Sequence, residues 1–250
     1  MKILLAAALC LASLSISAQV PLTTAVQILR YEDARRYDAS LEALMRSPNS
    51  AVRERAALAA GRIGKDDAIP ALALLLNKDS SQSVRAMAAF AIGEIESVKG
   101  ADAINAAILA EAPTRTGPGN AHVFARAVEA AGKIAAANAK TAESASLSSS
   151  ILFALKSQPA DREAALMTLT AALRARPDGG AALVAKFLTS PDTRIRGDAL
   201  NTLARLRAKE ELTAIRLLLD RDADAVVRAD RKSTRLNSSH IPLSRMPSSA

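Results

Sequence analysis

Tryptophan is absent from the 250 residues, aromatic side chains make up only 2% of them, and the chain has one cysteine and two histidines. Each shortage closes a line of function. Cys10 has no second cysteine to pair with, so no intramolecular disulfide framework can form. One thiol and two separated histidines, His122 and His240, supply neither the ligand set of an ordinary zinc site nor a thiol–imidazole pair. A core without large rings has to be built from Ala and Leu, which suits thin, closely stacked helices. The longest apolar run, Ile3–Leu14, falls short of the about 20 residues that span a bilayer as a helix, so no transmembrane segment is expected.

What the chain does have is repetition. The stretch Ser47–Asp79 reads SPNSAVRERAALAAGRIGKDDAIPALALLLNKD, and SSQSVRAMAAFAIGEIESVKGADAINAAILAEA follows it. Val52-Arg53 recurs as Val84-Arg85, Ala60-Gly61 as Ile92-Gly93 and Ile63 as Ile95. Self-similarity at a fixed period of this size marks a solenoid. Within each copy the apolar positions Val52, Ala56, Leu58, Ala59 and Ile63 fall at helical steps of three and four. Ser47 or Ser50 is the expected cap of this first helix, and Gly64 its end. A second helix starts near Asp66-Asp67, with Pro70 in its first turn, and buries Leu72, Leu75 and Leu76. Ala57, Ala60, Gly61, Ala89 and Gly93 are small enough to let neighbouring helices approach closely.

These residues, VRERAALAAGRIG…AIPALALLL and VRAMAAFAIGEIE…ADAINAAIL, resemble the HEAT family, in particular its short, phycobilisome-lyase-type repeats. The resemblance implies an all-α fold, a right-handed solenoid of antiparallel helix pairs, which most often binds other macromolecules. It also implies that the recurrent arginines Arg53, Arg85, Arg196 and Arg228 are structural, each pairing with an acidic or capping residue to link repeats, rather than forming a basic ladder for phosphates.

Outside the duplication the chain is less regular. Residues 1–18 read as a secretory signal peptide, with Lys2, an apolar run and small residues at Ser15–Ala18. Export after cleavage, to the periplasm or the medium, follows. Pro21–Met45 is expected to form an opening helical pair with Val26, Leu29, Leu41 and Leu44 inward and a polar, ion-paired face carrying Glu32 and Asp33. The run Ala112–Asn120, with two prolines and two glycines, is a loop. A third repeat carries Val123, Ala130, Ala131, Gly132 and Ile134, with His122 at its start in a surface or capping role. Ala135–Ser150, rich in Ser, Asn and Lys, is expected to be a polar connection or a poorly packed helix end. A further unit spans Ile151–Leu188, with Leu152, Leu155, Leu166, Leu169, Ala172 and Leu173 inward, and a last full repeat spans Ser190–Asp222. Five to six helical pairs result.

From Asp230 the periodicity stops. DRKSTRLNSSHIPLSRMPSSA resembles the translation of a sequencing-library adapter, the alternative being a basic disordered tail. The expected organisation is thus a leader at 1–18, a repeat domain at 19–229 cut within its last repeat, and the tail at 230–250. The net charge of +8 includes four basic residues and Asp230 of the tail and Lys2 of the leader, so the repeat region carries only +4. With no cluster of basic and aromatic residues, nucleic acid is not expected as a partner. No catalytic, cofactor-binding or metal-binding residue stands out, and neither a cofactor nor a small-molecule substrate is expected. The expected role is non-enzymatic: an exported scaffold whose stacked second helices line a concave face for a protein partner. The leader, the YEDARRYD start and the repeats together are also similar to exported bacterial proteins in which HEAT repeats precede a cyclophilin-type peptidyl-prolyl isomerase domain. That resemblance implies a catalytic domain missing from this chain.

Overall fold

The computed structural model describes residues 19–113, 119–225 and 227. The stretches read as a leader at 1–18 and a tail at 230–250, and Arg228, lie outside the described residues. Among those described there are twelve α-helices and no strand. They are α1 (Leu22–Asp33), α2 (Ala39–Leu44), α3 (Ser50–Ile63), α4 (Ile69–Lys78), α5 (Gln82–Ile95), α6 (Ala101–Glu111), α7 (Ala121–Ala137), α8 (Ala142–Ser157), α9 (Arg162–Ala175), α10 (Gly180–Ala185), α11 (Thr193–Leu206) and α12 (Leu212–Arg221). In chain order the helices alternate as first and second members of six units, and each second helix packs on the first helix that follows it, α2 on α3, α4 on α5, α6 on α7, α8 on α9 and α10 on α11. The first helices pack in series, α1 on α3, α3 on α5, α5 on α7, α7 on α9 and α9 on α11, while α4, α6, α8 and α10 form a second layer. The result is an all-α solenoid in which each pair buries its apolar face against its neighbours.

The polar residues between helices set where each one starts. The Asn49 side chain accepts from the Ala51 amide at 2.9 Å, and Asp38, Asn120, Thr141, Asp161 and Asp192 cap α2, α7, α8, α9 and α11 in the same way. The cap of α3 is therefore Asn49, not Ser47 or Ser50. Ser47 instead accepts from the Asn49 amide, and Ser50 is already the first helical residue. Gly64 ends α3 in the left-handed region, at φ 75°.

The core follows the repeat. Ala56, Ala57, Ala59 and Ala60 of α3, Leu72 of α4, Ile92 of α5, Ile104 and Ile108 of α6 and Phe124 and Ile134 of α7 are completely buried. In the three tightest crossings, the twelfth residue of one first helix is a glycine lying against the tenth residue of the next. A Cβ added to Gly61 would lie 2.7 Å from the Cα of Ala91, one on Gly93 2.8 Å from that of Ala130, and one on Gly132 2.7 Å from that of Ala171. The helix propensity that each glycine forgoes, roughly 1 kcal/mol, is offset by backbone contact that no larger residue permits. The series ends at α9, whose twelfth residue is Leu173 facing the level of Thr202 in α11.

Two sequence expectations are corrected. In α1 the buried side chains are Ile28 and Tyr31, whereas Val26 and Leu29 are 40% and 47% exposed. Both sets satisfy helical spacing, and the larger Tyr31 takes the inner face. The serine-rich stretch at 142–150 is the first half of the sixteen-residue helix α8 rather than a connection. Its hydroxyls are accommodated by local partners. Ser144 donates to the Ala135 carbonyl at 3.0 Å, Ser150 to Asn105 at 2.6 Å, and Asn105 donates to Ser146 at 2.9 Å. With the buried Ser144 and Ser150 hydroxyls both matched, serine carries little penalty in this helix.

Candidate functional site

Two of the recurrent arginines, Arg53 and Arg196, are fully engaged with the scaffold. Arg53, fourth residue of α3, donates from Nε and Nη2 to Asp79 at 2.7 and 2.8 Å, and from Nη1 to the carbonyls of Ser47 and Pro48 at 2.9 and 3.3 Å. Asp79 also accepts from the Ser81 amide at 2.8 Å. One guanidinium thus ties the turn before its repeat to the end of the second helix, and the carboxylate passes the tie to the following repeat. Burial pushes the Asp79 carboxyl up, but the hydrogen bonds from Arg53 and the Ser81 amide outweigh it and hold the group below the ordinary aspartate range. The Asp79 hydrogen bond in turn raises Arg53 above its ordinary value.

Arg196 repeats the clasp on Asp222 at 2.7 and 2.8 Å and on the carbonyls of Ser190 and Pro191 at 2.9 and 3.1 Å. Arg85 pairs with Glu111 through Nη1, but its Nε is buried without a partner. The longer glutamate does not reproduce the fork that aspartate makes. In α7 and α9 the fourth residue is Phe124 or Ala165, both completely buried. Three of the four arginines are therefore clasps, and Arg228 lies outside the described residues.

Glu32 and Asp33 do not act together. Glu32 receives a bidentate pair from Arg55 at 2.6 and 2.7 Å, with Arg62 at 3.6 Å, and the Arg55 hydrogen bonds hold its carboxyl below the usual range. Asp33 is exposed. His122 lies in the first turn of α7, where Asn120 is the cap, and sits 3.2 Å from Glu163 of α9. Among the described residues, no group of three or more His, Cys, Asp or Glu side chains is placed to hold a metal ion. No helix of the described residues is long and apolar enough to cross a membrane.

Two surface features appear only with the fold. The first is a cleft of about 240 Å³ on the first-helix layer, lined by Glu54, Ser83, Ala86, Met87, Phe90, His122 and Arg126. Lys133, nearly buried, sits with Nζ 4.5 Å from the centroid of the Phe90 ring and is held by Glu94 at 2.6 Å and Glu129 at 2.7 Å. Arg126 bridges Glu129 and Glu163 at 2.9 and 2.7 Å. Burial pushes Glu129 up, but Lys133 and Arg126 hold it below its ordinary range. The network spans α5, α7 and α9 and welds three repeats. Its inter-helix ion pairs join residues 37 and 39 apart in the chain, too far for sequence spacing to reveal.

The second feature is a set of large apolar side chains on the second helices. Leu74 of α4, Leu109 of α6, Phe153 of α8 and Leu217 of α12 are 58%, 58%, 37% and 55% exposed. Isolated exposed leucines are ordinary. Here one recurs on four of the five second helices that follow α2.

The family model of HEAT repeats matches residues 37–116, the part of the chain running from the start of α2 to the loop after α6. No curated protein matches the chain. A crystal structure of an engineered protein from the Northeast Structural Genomics Consortium superposes with a TM-score of 0.52 at 18% identity, covering 79% of this chain and 94% of that one. A second engineered protein from the same consortium superposes with a TM-score of 0.51 at 21% identity, covering 88% of this chain and 61% of that one. At such identities the likeness is one of fold.

Proposed function

We propose that this α-solenoid, with HEAT repeats over residues 37–116, is an exported scaffold that binds a protein partner on the face of its second helices. The observation that carries the reading is the recurrence of Leu74, Leu109, Phe153 and Leu217, exposed on one layer. Burying a side chain of this size stabilises an association by about 1.5–3 kcal/mol before the costs of binding, and a few such anchors dominate most interfaces. Export is supported by the leader pattern at residues 1–18. The test is capture from the exported fraction of the source cell, with the native chain against Leu109→Asp/Phe153→Asp. Both positions are exposed, so the variant keeps its helical circular dichroism. Loss of the captured partner supports the reading, and recovery of the same protein by both chains would sink it. The alternative is that the repeats precede a cyclophilin-type peptidyl-prolyl isomerase domain in the natural gene. It is supported by the leader and by the Tyr31–Asp38 stretch, and sequencing the source DNA past Ala229 decides it.

A further inference from the structure

We propose that the cleft between the C-terminal ends of α9 and α11 is an anion-binding site that takes an acidic peptide, a run of Asp or Glu side chains carried by a protein partner. The cleft, of about 290 Å³, is lined by Arg176, Ala204, Arg205 and Arg207, and Arg174 stands in the last turn of α9. All four arginines are exposed. Among the described residues none of their side chains makes a hydrogen bond or an ion pair.

Most of the other first-helix cations are treated differently, Arg30 in the last turn of α1 being an exception. Arg62, in the corresponding last turn of α3, faces Glu32. Lys133 is held between Glu94 and Glu129, and Arg53, Arg55, Arg126 and Arg196 all have carboxylates. An anionic ligand would meet several guanidiniums around one cleft with no carboxylate of the described residues already paired to them.

The backbone places two of these arginines at helix ends. Arg176 and Arg207 end α9 and α11 in the left-handed region, at φ 49° and φ 57°. Glycine is favoured there, and Gly64 fills the equivalent position at the end of α3. Glu96 and Gln158 end α5 and α8 in the same region, but among the described residues only α9 and α11 are successive first helices that both end there on a cation.

The guanidinium fork matches a carboxylate with two parallel hydrogen bonds, so several forks in one cleft suit several carboxylates. A polynucleotide fits less well. No aromatic side chain lines the cleft to stack a base. The corresponding end of α5 carries Glu94 and Glu96, so the basic surface does not continue along the stack as a phosphate backbone requires. The site lies on the edge where the first helices end, apart from the second-helix face, and does not depend on that face binding anything.

The test is fluorescence anisotropy of a labelled hexaglutamate peptide with the full chain at low salt. Arg176→Gly/Arg207→Gly removes two forks while suiting the left-handed backbone. Its expected result is binding weaker by at least about tenfold, with a melting temperature unchanged or raised. Arg30→Gln/Lys156→Gln removes the same charge from exposed, unpaired positions elsewhere and is expected to bind as the native chain does. The proposal is overturned if the native chain does not bind, if the glycine pair binds as tightly, or if the control weakens as much. It is equally overturned if a single-stranded oligonucleotide binds more tightly than the peptide at the same salt.

Discussion

Alanine in place of Gly93 and alanine in place of Gly197 are the same chemical change in two first helices, and the structure predicts opposite signs. In either helix the substitution gains up to about 1 kcal/mol of helix propensity. At Gly197 an added Cβ meets nothing within 4 Å, so the gain stands. At Gly93 the added Cβ lies 2.8 Å from both Cα and Cβ of Ala130. Neither atom belongs to a flexible side chain that can swing aside, and Ala130 is completely buried. The two helices must separate, which loosens contacts on both sides of the crossing. Overpacking of this kind costs about 1–3 kcal/mol, and the upper half applies where backbone meets backbone. After the propensity gain, a net loss of about 1–2 kcal/mol remains. For a domain of this size 1 kcal/mol moves the melting temperature by about 2–4 °C. Thermal melts followed by helical circular dichroism should therefore show Gly197→Ala up by about 2–4 °C and Gly93→Ala down by about 2–8 °C. If both variants melt higher than the native chain, the close backbone crossing is wrong.

The clasps give a graded prediction. Asp79→Asn leaves the nearly buried Arg53 without its carboxylate and should cost about 3 kcal/mol, while Glu111→Gln should cost less because Arg85 is already only partly satisfied. Urea midpoints compare them, and equal shifts would contradict the difference in geometry. Asp79, Glu32 and Glu129 are all held below their ordinary values. Their stabilisation is thus complete above the unfolded-state value near about 4 and is lost as pH falls through the lower folded-state values. Melting temperature should be steady from neutral pH down to about 5 and then fall; a flat profile into strong acid would refute the assignment. Arg176→Gly and Arg207→Gly should each stabilise the isolated chain by about 1 kcal/mol through relief of left-handed backbone, and a drop in melting temperature would show that these arginines support the fold instead.

Much of the solenoid is legible in the residues because its unit is short. Val52-Arg53 and Val84-Arg85 mark the same helix start, and Gly64 marks an end whose conformation glycine favours. The inner face of α1 was not legible. Val26 and Leu29 satisfy a three-to-four spacing as well as Ile28 and Tyr31 do, and only the neighbouring α3 chooses between them. Serine content concealed α8, since propensity does not register that Asn105, on another helix, bonds to Ser146 and accepts from Ser150. The Phe90–Lys133 contact and the arginine cleft escaped for a related reason. Each joins residues on separate helices, brought level by the stacking distance and by no spacing within one helix. The second-helix stripe is intermediate, since Leu74 and Leu217 occupy matching repeat positions while Leu109 and Phe153 do not.

The glycine–alanine crossings bind α3, α5, α7 and α9 at three successive levels, and the next level, between Leu173 and Thr202, has none. Mechanically the chain is therefore a stiff rod with a softer last segment. Heat, denaturant or a pulling force should peel α11 and α12 away first and leave the helices up to α9 standing as a smaller folded body. Unfolding should then run in two steps, and a protease should cut first in the turn before α11, around Ser190–Asp192, long before the glycine-locked stack is accessible.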